Sequence, residues 1–169
     1  MANVQVREIT GTEHVARTFR LRYEVWKDEA ELTASVRAQE QITDEHDEHA
    51  RHWAAFDGDN IVAAACICCH NNQQEIPDSR VFRQMQLPTP VASFNRLVVK
   101  KQWRRQGIGN QLDILRIQAG REWNAVCVVV TSPSERIPSL QIRGFKLTEL
   151  QFTPWFAETL LASGLVLTL

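Results

Sequence analysis

The sequence has no long apolar run. Its longest, Ile61 to Cys69, falls far short of the roughly 20 residues that a membrane-spanning helix needs. The opening MANVQVREIT carries no apolar h-region of a secretory signal. No membrane partner is expected, and the chain is expected to be cytoplasmic. Cysteine is scarce and poorly placed for bridging: of four, Cys66, Cys68 and Cys69 crowd one stretch, where strand neighbours cannot reach disulfide geometry. A reducing compartment fits that pattern better than a disulfide framework. A strong charge of one sign is missing too. The net charge of -1 supplies none of the basic field by which nucleic-acid binders capture phosphate backbones. Repeats, linkers and low-complexity segments are absent, so residues 1–169 are expected to form one domain, long enough to bury a full core. Tyrosine occurs once, as Tyr23, which matters for the chemistry below.

What is there centres on Asn95 to Trp123, NRLVVKKQWRRQGIGNQLDILRIQAGREW. Leu97, Val98 and Val99 read as the end of a strand. A basic loop follows with Lys100, Lys101, Arg104 and Arg105, then Gln106, Gly107, Ile108 and Gly109. Ile108, Leu112, Leu115, Ala119 and Trp123 recur at steps of three and four, which predicts a helix. Glycines thus stand at a strand-to-helix junction behind four cations. The first amides of a helix have no intrahelical acceptor and the dipole there favours an anion. Glycine lets a phosphate approach the backbone.

Two nucleotide motifs fail on residues. A P-loop needs Lys-Ser or Lys-Thr after its last glycine, where Asn110 and Gln111 stand. A dinucleotide fingerprint wants a small residue at Leu112 and an acidic one ending the next strand, which ends Thr131-Ser132-Pro133. The spacing Val-x-x-x-x-Arg-x-x-Gly-x-Gly, here Val99, Arg104, Gly107 and Gly109, closely resembles the coenzyme A pyrophosphate motif of the GCN5-related N-acetyltransferase (GNAT) superfamily.

Elsewhere, Val4 and Val6 alternate as a short strand. Thr10 and Glu13 have the spacing of a capping box for a helix carrying Val15, Phe19, Arg22, Tyr23 and Trp26 on one face. From Glu24 to His49 nine carboxylates face two basic residues, with neither glycine nor proline, which reads as helix plus loop. Asp57-Gly58-Asp59-Asn60 predicts a hairpin between His52–Phe56 and Ile61–Cys69. Residues 71–92 read as a long connection with one helical turn around Val81–Met85. Ala125 to Thr131 reads as a strand buried on both faces. A helix over Ser134–Arg143, a strand from Gly144-Phe145, a helical segment over Ala157–Ala162 and a last strand over Leu165–Leu169 complete the chain. This order implies an α/β class with a central mixed sheet and helices on both faces. It is also the order of the GNAT fold, with its mostly antiparallel sheet, so the resemblance covers most of the chain.

That resemblance implies an acyl-CoA-dependent N-acyltransferase with acetyl-CoA as co-substrate and an amine acceptor, a small molecule or a peptide. Pantetheine would pair along Leu97, Val98 and Val99. The pyrophosphate would rest on the amides of Arg105, Gln106, Gly107, Ile108, Gly109 and Asn110, with Arg104 adding charge at the rim. Many such enzymes carry a tyrosine four residues before the Gly-Phe pair to protonate the leaving thiolate; here that position is Leu140. The asparagine often found seven residues earlier is Pro133. Ser132, Ser134 or Ser139 remains as a contact for the thiol or pantetheine, and unless Tyr23 protonates the thiolate the reaction relies on water or needs no acid. Family members are often dimers, which makes a homodimer one expected form.

For the acceptor side, Asp44, Glu45, His46, Asp47, Glu48, His49 and His52 form a cluster that is ordinarily a solvated face. Arg22-Tyr23-x-Val25-Trp26, Asp44-x-x-Asp47 and Asn95-Arg96-Leu97 resemble acyl-homoserine-lactone synthases and N-acyl amino acid synthases. That similarity implies roles for Arg22, Asp44 and Asp47 around the amine. It also keeps open a longer-chain acyl donor, just as the missing tyrosine keeps open a non-catalytic coenzyme A sensor. No metal is expected: the His-Glu-x-x-His signature is absent, and Cys66-x-Cys68-Cys69-His70 lacks a second ligand pair. Trp103 with Arg104-Arg105 is one loop without companion aromatics, so no nucleic-acid partner is expected either.

Overall fold

The computed structural model describes residues 4–77, 79–82 and 84–169. Seven strands form one sheet in the order β1-β2-β3-β4-β5-β7-β6: β1 Gln5–Ile9, β2 Arg51–Asp57, β3 Asn60–His70, β4 Val91–Val99, β5 Cys127–Pro133, β6 Lys146–Phe152 and β7 Ala162–Thr168. Only β4 and β5 pair in parallel; every other neighbouring pair is antiparallel. Helices α1 Thr12–Trp26, α2 Ala34–Gln39, α3 Ile108–Glu122 and α4 Ile137–Ile142 cover the faces. The mixed α/β architecture expected from the sequence is the one observed.

Each face has its own apolar contacts. Leu21 and Val25 of α1 pack on Ala54, Phe56, Ala64 and Val98. Ile108, Leu112 and Ala119 of α3 pack on Ala55, Ala63, Ala65, Ala92 and Phe94 from the other side. The run of alanines along β2 and β3 lets two helices approach one sheet closely. At β4 the register slips: Cys66 pairs with Asn95 but Ala64 pairs with Val98, and Arg96 between them takes a left-handed φ of 51°. This bulge changes which residues face α3, from Ala92 and Phe94 before it to Leu97 and Val99 after it.

Several local expectations are corrected. Thr10 and Glu13 form no capping box, because Gly11, at φ 93°, occupies the cap position and leaves Thr10 one residue too early. The buried stripe of α1 is Thr18, Leu21, Arg22 and Val25, with Phe19, Tyr23 and Trp26 at its half-buried margin. β4 starts at Val91, four residues before Asn95. The connection before it holds short 3-10 turns at Gln73–Glu75 and Ser79–Phe82; the turn expected at Val81–Met85 lies partly outside the described residues. A 3-10 turn over Ser134–Arg136 precedes α4. Ala157–Ala162 is not helical: Ala157 bridges to Leu32 and Phe156 packs on Trp26 with ring centroids 5.3 Å apart, so tertiary contacts hold this bent segment against the α1–α2 connection.

Candidate functional site

The parallel pair β4 and β5 stays together from Val91–Cys127 to Phe94–Val130 and then separates. β4 continues to Val99 on β3 alone, while β5 continues to Pro133 on β7. A wedge opens between them, and the β5-facing backbone edge of residues 95–99 has no strand partner among the described residues. Such an edge offers amides and carbonyls at strand spacing to an extended ligand. Leu97, Val98 and Val99 lie along this edge, and Ser134 stands exposed just past the end of β5.

At the wide end of the wedge lies the start of α3. Gly107 caps it with φ 82°, in the left-handed region, and no side chain caps the helix. Arg105 is also left-handed, at φ 61°. The successive amides around Gly107, Ile108, Gly109 and Asn110 are therefore free to meet an anion. Gly109 sits close to the wedge: a Cβ there would stand 3.6 Å from Arg136 Nη1, 3.9 Å from Leu97 Cδ2 and 4.0 Å from Val99 Cγ2. The basic rim is partly engaged. Arg104 donates to Val99 O at 3.0 Å and pairs with Glu29, Lys100 pairs with Glu24 at 3.5 Å, and Gln106 donates to Gln102 O.

The acidic cluster divides into two layers. Arg22 is buried, 1% exposed, and its Nη1 and Nη2 each donate to an Asp47 oxygen at 2.8 Å. Nη1 also donates to Ile42 O at 3.2 Å. Asp47 in turn accepts from the Asp44 amide at 3.0 Å, and Asp44 accepts from the His46 amide at 3.0 Å, which locks the 3-10 turn Glu45–His49. Arg22 and Asp47 are not among the residues lining either adjoining cavity. Asp44 lies outward and pairs with Arg96 of the bulge. Burial pushes the Asp44 carboxyl up, but the Arg96 guanidinium outweighs it and holds the group below the usual carboxylate range.

Two adjoining cavities lie here. One, of about 360 Å³, is lined by Asp44, Glu45, His46, Pro77, Arg96 and Trp155. The other, of about 790 Å³, shares Glu45 and His46 and extends past Glu48, His70, Glu75 and Arg80. His70 donates to or accepts from Ser93 Oγ at 2.8 Å, and Asn95 Nδ2 donates to the same hydroxyl at 3.0 Å. Burial, with His46 nearby, lowers the His70 pKa to about 4, so its ring is neutral near pH 7.

Ligand-type atoms of Asp47, His52 and Cys66 lie within 4.8 Å of one another. They do not form a cation site, because Arg22 already donates to both Asp47 oxygens and reaches Cys66 Sγ at 3.6 Å. Burial also raises the Cys66 thiol to about 11, away from the thiolate that a metal takes. All four cysteines are free. Among the described residues no helix is long and apolar enough to cross a membrane.

Sequence reasoning did not single out Asp113 and Arg116. Both are buried on the inner face of α3, at 0% and 1% exposure, where the apolar periodicity allowed only hydrophobic residues. Their signal was an Asp and an Arg three apart on that face. The Arg96–Asp44 pair and the His70–Ser93 contact were missed as well, because both join residues distant in sequence.

The model of the Acetyltransferase (GNAT) family matches residues 12–140. Among solved structures, FeeM, an N-acyl amino acid synthase from uncultured soil microbes, aligns with a TM-score of 0.74 over 98% of this chain and 90% of its own, at 10% identity. BjaI, a CoA-dependent acyl-homoserine lactone synthase solved with MTA, aligns at 0.72 over 98% and 83%, at 15% identity. A Bacillus subtilis acetyltransferase in complex with CoA aligns at 0.59 over 99% of both chains, at 13% identity. Identities this low establish shared fold alone. Among curated proteins, none matches the sequence.

Proposed function

We propose a reaction for this chain from one premise: it belongs to the acetyltransferase (GNAT) family. Acetyl-CoA is the donor, and the acetyl group passes to a primary amine of a small molecule or peptide. The observation that carries this reading is the β4–β5 wedge running to an uncapped helix start at Gly107. Coenzyme A would lay its pyrophosphate on the amides of residues 105–110 and its pantetheine arm along Leu97–Val99, with Ser134 across the gap. The thioester carbonyl would then be polarised by β4 amides that need no reorganisation.

Acetyl fits better than a longer chain. Phe94, Leu140 and Phe145 are fully buried behind the wedge, with the two phenyl rings 5.6 Å apart. A medium-chain tail would have to displace them, and overpacking a filled core costs about 1–3 kcal/mol.

The acceptor would enter through the adjoining cavities, where Glu45, Glu48 and Glu75 favour a cationic amine. Asp44, kept ionised by Arg96, would hold the ammonium group. His46 lines both cavities and would take the proton. Arg22 and Asp47 act as positioning residues by fixing the turn that carries Asp44 and His46.

Calorimetry with coenzyme A tests the donor site; absence of binding at millimolar ligand would remove the reading. Mass-spectrometric product detection across an amine panel, with acetyl-CoA and octanoyl-CoA in parallel, tests the reaction. Faster turnover with octanoyl-CoA would replace acetyl by a longer chain, and binding without any product would leave a sensor.

A further inference from the structure

We infer that Arg136 is a side-chain ligand of the coenzyme A pyrophosphate, reaching it from the β5 side of the wedge. The inference rests on the coenzyme A reading above and deepens it: a cradle built of main-chain amides gains one cation. Arg104, which the sequence motif offers for that part, is already committed. Its Nε donates to Val99 O at 3.0 Å and its Nη2 pairs with Glu29. Lys100, beside it in the basic loop, is paired with Glu24 at 3.5 Å.

Arg136 lies where the chain leaves β5 and turns into α4, and Ser139 Oγ donates to its carbonyl at 2.9 Å. Its Nη2 donates to both Asp113 oxygens, at 2.9 and 3.2 Å, which clamps the guanidinium to α3. Its Nη1 donates to no described residue and stands 3.6 Å from where a Cβ on Gly109 would be. Gly109 belongs to the first turn of α3, whose amides have no acceptor within the helix and no side-chain cap. The free end of a clamped cation and these amides therefore border one space. A diphosphate has separate oxygens to accept from both, each N–H···O bond spanning about 2.9 Å.

The surrounding charge calls for an anion there. Asp113 is buried and faces three guanidiniums: Arg116 at 2.5 Å, Arg136 at 2.9 Å and Arg143 at 3.7 Å. No other carboxylate pairs with them among the described residues, and Nε of Arg116 and of Arg143 is buried without a hydrogen-bond partner. One carboxylate against three cations leaves positive charge uncompensated behind the helix start, a state that an incoming anion relieves. The α3 dipole adds partial charge of the same sign at that end. Of the three cations, Arg136 is the most exposed, at 26% of its side chain, against 2% for Arg116 and 16% for Arg143. It is the member of the cluster that a ligand at Gly109 can touch.

The test is calorimetry with coenzyme A and with 3′-dephospho-coenzyme A, which keeps the diphosphate and loses the other phosphate; it needs no acceptor. Arg136→Met should raise both dissociation constants by the same factor, at least about tenfold for a charged hydrogen bond. Arg136→Lys should recover part of the loss, because it restores the charge without the fork. Unchanged affinity in Arg136→Met overturns the inference. So does a loss confined to coenzyme A, since Arg136 would then serve the 3′-phosphate. A crystal structure of the native protein with coenzyme A decides the matter whether or not the variants fold. A diphosphate oxygen should lie within about 3.2 Å of Arg136 Nη1; a bound coenzyme A whose diphosphate stays out of reach of that atom overturns the inference. Absence of coenzyme A binding to the native protein would instead defeat the underlying reading, and this inference with it.

Discussion

Around Gly107 the groups offered to a ligand are backbone amides, placed by a left-handed glycine and left uncapped. Around Asp44 to His49 the polar groups are side chains, and most are already held by one another: Arg22 by Asp47, Asp44 by Arg96, His70 by Ser93. The first region is open because its chemistry belongs to the main chain, which any sequence with the right φ values supplies. The second is assembled from α1, the 3-10 turn, β3 and β4, and depends on side-chain identity throughout. On the proposed reading, the wedge would serve a common donor, while the acceptor side would be free to diverge.

The largest effect should come from filling the donor cradle. Gly107→Asp with Gly109→Asp puts two Cβ atoms and two negative charges at the helix start, one at a left-handed φ. The coenzyme A dissociation constant, read by calorimetry, should rise at least about 100-fold, or about 2.7 kcal/mol; unchanged binding would deny the cradle any role. Next comes Asp47→Ala, which leaves Arg22 buried without its carboxylate. Loss of one partner of a buried pair costs about 3–5 kcal/mol, measurable by urea unfolding, while coenzyme A affinity of the folded protein stays within about twofold. A smaller and different response is expected from Arg96→Ala. It releases Asp44 at the cavity wall, so the acceptor KM should rise about tenfold, or about 1.4 kcal/mol, with donor KM unchanged. Should the donor KM move instead, the two regions are not separable.

The smallest effect concerns acidity. The unfolded chain protonates histidine near pH 6.5, but folded His70 resists protonation down to about 4. Between those values the unfolded state binds more protons, so stability is full above about 6.5 and falls as pH drops toward about 4. Urea midpoints for His70→Gln should show a flatter decline through that window, and parallel slopes for both proteins would remove His70 as the source.

How much of this was readable beforehand follows the same division. Gly107, Gly109 and the strand before them were legible because backbone requirements restrict residue type at fixed spacing. Ile108, Leu112 and Ala119 were legible from helical periodicity and do face the core. The same rule hid Asp113 and Arg116, since it assigns charged residues to the outside. Their burial is tolerated through their own ion pair, the pairings of Asp113 with Arg136 and Arg143, and the contacts of Arg116 with the carbonyls of Cys66 and Asn95 and the ring of Phe94. The bulge at Arg96 was invisible too: nothing local in Phe94-Asn95-Arg96-Leu97 announces a register slip, which is set by pairing with β3. Ala157–Ala162 misled because propensity yields to the contacts of Phe156 with Trp26 and of Ala157 with Leu32.

The position of β7 has a consequence for biogenesis. Ala162–Thr168 is inserted between β5 and β6, so a nascent chain released only as far as Phe152 has made both flanking strands but not the one that joins them. Val128 to Val130, apolar and destined for full pairing, would meanwhile present an unfilled edge of the kind that recruits foreign strands. The ribosome thus delivers the joining piece after the pieces it joins. A chain cut after Phe152 would keep that edge open and should aggregate more readily than the full chain.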